Sequence, residues 1–350
     1  MVNAIEENAD HLGELGEDPI TNKNEMKKLV VNELFMQIQQ FGEINDQMND
    51  LVNKAHADFS DPDDEKKIQE TIEHFGKVQG ITFKHIGALG AKLQDPVVWE
   101  YKESLGSLNP NRLDNGNILI VEVIANRVIE VAPDNKIVWE YTDVDLPTDA
   151  ERLENGNTLI ADRHGHRVIE VAPNKDTVWE YKNDSLHEIF GVQRLSNGNT
   201  LIADQGSPAR IIEVNQDKEV VWVYGGAANE TLYFPSIDQR LENGNTLIGD
   251  NVGMLNNSSA RVIEVTPDKK IVWEYTEGLV GVYTLQRLEN GNTLICDQFN
   301  DRVIEVNPAK EIVWTYGAID EPGGVQRLDN GNTLIGVFGE HRIIEVAGAA

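Results

Sequence analysis

The chain contains one cysteine, Cys296, in 350 residues. An internal disulfide framework and a cysteine-based zinc site are therefore excluded. Positive charge is also scarce: 30 Lys and Arg stand against 59 Asp and Glu, a formal net charge of -29. A field of that sign repels nucleic-acid phosphates and anionic lipid, so neither is an expected partner. No run of about 18 apolar residues is present to span a membrane. Residues 1–7 are acidic and lack the apolar stretch of a secretory signal. The expectation is a soluble, cytoplasmic protein, and the 40 % hydrophobic content argues against a disordered one.

What is present falls into two regions of different texture. Residues 1–95 hold 19 acids, nine lysines and no arginine, whereas all 13 arginines and all six tryptophans follow. The first region reads as α-helical. Ile44, Met48, Leu51, Val52, Ala55 and Phe59 recur at helical spacing, and Ile68, Ile72 and Phe75 form another stripe after Ser60-Asp61-Pro62. Single apolar stripes need a partner surface, so a small bundle is expected at 1–95.

Residues 96–350 are a repeat array. The triplet Asn-Gly-Asn begins at Asn115, Asn155, Asn197, Asn243, Asn290 and Asn330, at intervals of 40 to 47 residues, the length of a four-stranded propeller blade. In the second repeat, Glu151-Arg152-Leu153 ends one strand and Asn155-Gly156 reads as a two-residue hairpin turn. Residues 158–162, 167–171 and 177–181 supply three further β-branched and aromatic strands. The outer-strand signature Val-Trp-Glu-Tyr occurs at Trp99 before the first triplet, and the chain stops four residues after Val346. The sixth blade thus lacks its own fourth strand, and residues 97–101 are expected to supply it and close a six-bladed β-propeller.

Twelve arginines occupy two repeat positions. One set ends the first strand (Arg112, Arg152, Arg194, Arg240, Arg287 and Arg327), and the other opens the third, three residues before a glutamate such as Glu170. A two-residue turn would pair Arg152 with Leu159 and set Arg152 and Glu170 on one face of the same blade. Six copies under one rule read as a charge clamp, in preference to an anion-binding ring. The acids closing the second strand (Glu122, Asp162, Asp204, Asp250 and Asp297) are expected to pair with the third-strand arginines, with Val337 breaking the pattern in blade six. The tryptophans read as inter-blade packing and Cys296 as a buried, inert thiol.

Function is expected where the repeats diverge. One end of the ring carries uniform Asn-Gly and Pro-Asp-Lys-like turns, whereas loops at the other end vary in length and sequence. Binding residues concentrate in variable loops on a rigid scaffold. The candidate ligand-binding set on that face is Arg163, His164, His166, His187, Tyr233, Phe234, Phe299 and His341, among acids that include Asp143, Asp145, Asp149 and Glu188. His164, His166 and His187 have the chemistry to bind a metal or act as acid and base, and equally that of solvated loop histidines. No Ser-His-Asp motif, phosphate-binding glycine loop or His-Glu-x-x-His signature occurs, so no catalytic residue, metal ligand or cofactor is assigned.

The repeat Arg-Leu-x-Asn-Gly-Asn-Thr-Leu-Ile-x-Asp…Arg-Val-Ile-Glu-Val…Val-Trp-Glu-Tyr resembles arylsulfotransferase-like and PQQ-like propellers, and its Asp…Arg-Val/Ile portion is similar to NHL repeats. The resemblance covers residues 96–350. An arylsulfotransferase-like protein would use a histidine-centred sulfuryl transfer. NHL-like propellers mostly bind proteins or other macromolecules. Quinone-dependent propellers are generally eight-bladed, so six repeats imply no such cofactor. The expectation is a non-enzymatic recognition or scaffold propeller for a protein, peptide or glycan, with the helical region as an assembly element that lets the chain form homo-oligomers. The alternative is a propeller enzyme using the loop histidines.

Overall fold

A computed structural model describes residues 97–226, 230–251, 260–317 and 319–348. The helical region expected at 1–95 lies outside them. The described residues form six four-stranded antiparallel sheets. Blades one to five span 107–141, 147–182, 189–225, 235–275 and 282–317. Blade six consists of Pro322–Arg327, Thr333–Val337 and Arg342–Val346, completed at its outer edge by Val97–Tyr101. Trp99 lies opposite Glu345 and Tyr101 opposite Ile343, so the expected closure is made.

The middle strands carry continuous apolar runs because both their faces are covered by neighbouring blades. Thr158–Asp162 is buried along its whole length, as are its five counterparts. Each apolar cluster straddles a junction. Leu119, Val121, Val128 and Tyr141 of blade one, for example, pack on Ala150, Ile160, Ile169 and Val171 of blade two.

The Asn-Gly hairpins differ from the two-residue turn expected. Arg152 pairs with Thr158, one residue away from Leu159. The loop is longer: Leu153 donates to the Asn157 carbonyl at 2.8 Å, and Gly156 sits at φ +83°. Asn155 Oδ1 accepts the Asn157 N–H at 2.9 Å, and this side-chain turn absorbs the extra residue. A one-residue slip moves a side chain to the other face. Arg152 accordingly reaches Glu130 of the preceding blade at 2.8 Å and not Glu170, which Arg194 takes instead. The clamp is therefore between blades. All six junctions have it, including Arg112 to Glu345 across the closure. Each guanidinium also lies 5.0–5.6 Å from the ring of a tryptophan in the same preceding blade. The second Asn of the triplet holds the glutamate from its own blade, as Asn157 does Glu170 at 2.6 Å.

Every outer strand enters through a bulge. Val131 pairs with Ile137 and Glu130 with Trp139, leaving Val138 without an opposite residue. The same shift strands Val98, Val178, Val221, Val272 and Val313, all exposed.

Candidate functional site

The acids that end the second strands do two jobs. As expected, each pairs with the third-strand arginine, for example Asp162 with Arg167 at 2.6 Å. The second oxygen accepts backbone N–H groups from the loop entering the same blade: Leu105 on Glu122, Asp145 on Asp162, His187 and Glu188 on Asp204, Tyr233 and Phe234 on Asp250, and Val280 on Asp297. In blade six, where Val337 stands, the loop residue Glu340 performs both tasks, binding Arg342 and accepting the Asp320 N–H. The variable loops thus rest on fixed carboxylates.

On the ring axis, inner strands from all six blades line one small pocket whose enclosed space is about 10 Å³, roughly that of one water. The residues four positions before each conserved-position arginine are Leu108, Thr148, Phe190, Ser236, Tyr283 and Gly323, and all six line it. Asn109, Asp149, Gly191 and Thr284 complete the wall. Phe190 and Tyr283, from blades three and five, meet edge to face with ring centroids 5.1 Å apart. Burial raises the Tyr283 phenol, and both Arg163 and the Gln298 amide bear on it.

The first strand of blade two carries two acids, of which Asp149 lines the pocket. Asp149 is buried, accepts from Asn109 Nδ2 at 2.5 Å and from the Val192 N–H at 2.8 Å, and burial pushes its carboxyl up to about 6. Glu151 accepts the Arg194 N–H at 2.7 Å, and burial, with the Asp149 charge nearby, pushes it up to about 7. The same backbone N–H is taken by glutamine at four other junctions: Gln193 to Arg240, Gln239 to Arg287, Gln286 to Arg327 and Gln326 to Arg112. At the sixth, Asn111 is one methylene shorter and instead accepts from Gln326 Nε2 at 3.2 Å.

Both folded-state values lie above the ordinary ones, so between about pH 4 and pH 7 the folded chain holds protons that the unfolded chain releases. Their contribution to stability is greatest below that window and declines as pH rises through it. Urea midpoints for wild type and Glu151→Gln should therefore coincide near pH 4.5 and separate by pH 8, with the variant the more stable. Equal midpoints at both pH values would show that the Glu151 charge carries no folding penalty.

The loop residues expected on the variable face are placed in several settings. Arg163 is held by Glu188 at 2.5 Å, and its charge acts on the Tyr283 phenol. His164 lies 3.7 Å from Asp145, and His166 Nδ1 is 2.6 Å from the His187 carbonyl oxygen. His166 and His341 occupy a left-handed turn position, φ +52° and +54°, that Asn126 and Asp301 fill in blades one and five. Tyr233 is exposed, Phe234 half-buried, and the exposed Phe299 lies over Gly281. Among the described residues, no three His, Cys, Asp or Glu side chains are arranged to hold a metal ion. Cys296 is buried and donates to the Pro322 carbonyl. No described helix is long and apolar enough to cross a membrane.

Sequence reasoning by motif missed the pocket residues Asn109, Phe190 and Tyr283 and the singular Glu151, and counted Asp149 only as one loop-end acid among several. The signal lay in aligning the six first strands on their terminal arginines. The residue before the arginine is then Gln four times, Asn111 once and Glu151 once.

No protein-family model matches the chain, and no curated protein matches it. Solved structures do. A virginiamycin B lyase from Staphylococcus aureus is 13% identical with a TM-score of 0.55, covering 71% of this chain and 98% of its own. A gluconolactonase-like protein is 12% identical with a TM-score of 0.56, covering 73% and 96%. A Bacteroides caccae protein of unknown function is 19% identical with a TM-score of 0.51, covering 63% and 81%. The fold is a six-bladed propeller. At these identities the likeness extends to the fold alone.

Proposed function

We propose that the chain is a recognition propeller whose variable-loop face binds a protein or peptide by seating one protruding group in the axial pocket. One observation carries this reading. At the arginine position of the inner strand all six blades are identical, whereas four residues earlier all six differ, from Gly323 to Tyr283. A repeat that keeps one position constant for packing and diversifies another facing a common pocket has broken its symmetry where a ligand would sit. Arg163, His164, His166, His187, Tyr233, Phe234, Phe299 and His341 would form the surrounding contact surface. A catalytic role for the loop histidines is the weaker reading, because the described imidazole contacts run to Asp145 and to a backbone carbonyl.

The test is selection of displayed peptides on the wild-type protein, followed by binding of the winners to two variants. Peptides should lose most of their affinity for Arg163→Ala/Tyr283→Phe and keep it for Lys175→Ala/Lys310→Ala, which alters turns at the uniform end. Winners insensitive to the first variant, or lost with the second, would place recognition elsewhere.

A further inference from the structure

Resting on that reading, we infer that the variable-loop face takes its partner's large apolar side chains on blades five, six and one, and that the partner is a basic peptide segment. Outside the outer strands, the exposed large apolar side chains of the described residues are Leu105, Ile124, Tyr233 and Phe299, all in variable-end loops. Leu105 and Ile124 belong to blade one and Phe299 to blade five. Ile124 and Phe299 hold the same place in the repeat, two residues past the second strand, where blades two, three and six carry His164, Gly206 and Gly339. Blade six, which lies between blades five and one, presents the half-buried Phe338 one residue earlier in its loop.

These side chains are held in place. The residue preceding the first strand is Leu146, Glu188, Phe234 and Glu321 in blades two, three, four and six, but Gly106 and Gly281 in blades one and five. A Cβ at Gly106 would stand 2.7 Å from Ile124 Cγ1 and 3.1 Å from Phe338 Cε2, and one at Gly281 would stand 2.5 Å from the Phe299 ring. Both are too close for a carbon–carbon contact. Gly106 is also required by its φ of +68°, whereas Gly281 has no such demand, and the ring lying on it is what excludes a side chain there. Glycine thus stands in the two blades whose loop tip is a large apolar residue, and lets that residue lie down on the backbone. A side chain fixed before its partner arrives has little rotamer freedom left to lose on binding. Single exposed apolar residues need no explanation, but fixed ones gathered on adjoining blades mark an interaction surface.

Charge selects the partner. The third-strand arginines of these blades are engaged: Arg127 by Glu122 and Glu140, Arg302 by Asp297, and Arg342 by Glu340 and Glu100. Lys102 pairs with Glu100. The exposed acids Glu103, Asp301, Asp320 and Glu321, in the same loops, have no cationic partner among the described residues. The apolar side chains are therefore flanked by uncompensated negative charge, which a basic segment complements. A second copy of the chain would instead bring a further net charge of -29 against it.

The probe is a displayed library of random peptides, panned on the full chain. Winners are expected to combine Lys or Arg with Leu, Ile, Phe or Trp. Their affinity should fall at least about tenfold on Ile124→Ser/Phe299→Ser, which removes two anchors. It should fall several-fold on Glu103→Gln/Glu321→Gln, a loss that shrinks as salt is raised. Both variants alter exposed side chains and should keep the wild-type Tm, so the losses report binding. Winners of neutral or acidic composition would overturn the assignment. So would winners indifferent to Ile124→Ser/Phe299→Ser but dependent on Arg163 and Tyr283, and these would leave the recognition reading standing. No winners, or winners independent of both residue pairs, would remove both.

Discussion

Tyr101→Ala is expected to lower stability by about 3–5 kcal/mol, the usual range for emptying a buried aromatic site, and to lower Tm by about 10 °C. Tyr101 is 1 % exposed and packs with Ile118, Ile120, Ile129 and Val131 of blade one and with Leu334 and Ile343 of blade six. The proper comparison is Tyr275→Ala in blade four, a site equally buried. Tyr275 lies on a strand joined to its sheet partner Arg261–Val265 by a short turn, so a weakened contact is remade locally. Val97–Tyr101 meets Arg342–Val346 across some 240 intervening residues, and the closure entropy of that loop must be recovered each time the contact re-forms. The Tyr101 variant should therefore also unfold faster than the Tyr275 variant. Identical unfolding rates would mean that the closing strand acts only as local packing.

The second large effect is expected at the inter-blade clamp. Arg287→Ala should cost about 3 kcal/mol, because it leaves the buried Glu264 carboxylate without its cation. It also removes the guanidinium 5.2 Å from the Trp273 ring and its hydrogen bond to the Gly291 carbonyl. Arg287→Lys should recover little, since an ammonium cannot lie flat on the indole and fork to two acceptors at once. Combining Arg287→Ala with Glu264→Gln should cost clearly less than the sum of the two single changes, because the second change discharges the stranded acid. Additive losses, measured by urea denaturation of all four proteins, would refute the clamp as the source of the effect.

The parts of the fold legible in the sequence were those repeated from blade to blade. The blade count, the closing strand and the pairing of Asp162-type acids with third-strand arginines follow from spacing, because one local rule is written repeatedly. Two features escaped for physical reasons. The turn at Asn155-Gly156 gains a residue through a side-chain hydrogen bond that a count of hairpin residues does not register. The partner of Arg152 lies in the preceding blade because that extra residue turns the arginine to the other face of its sheet. The axial pocket escaped because its wall is shared among all six blades. Phe190 and Tyr283 are 93 positions apart in the chain and touch only once blades three to five have been set around an axis.

The bulge at Val138 and its five counterparts bears on how an array of near-copies assembles at all. Each blade ends in an outer strand with one open edge, and neighbouring units similar enough to exchange strands are prone to domain-swapped mispairing. An extra residue at the start of that edge puts its hydrogen-bonding groups out of step with any incoming strand of regular spacing. Because the guard is encoded inside the repeat, duplicating the unit duplicates its protection, and the ring could grow by copying without each new blade having to acquire its own defence against its siblings.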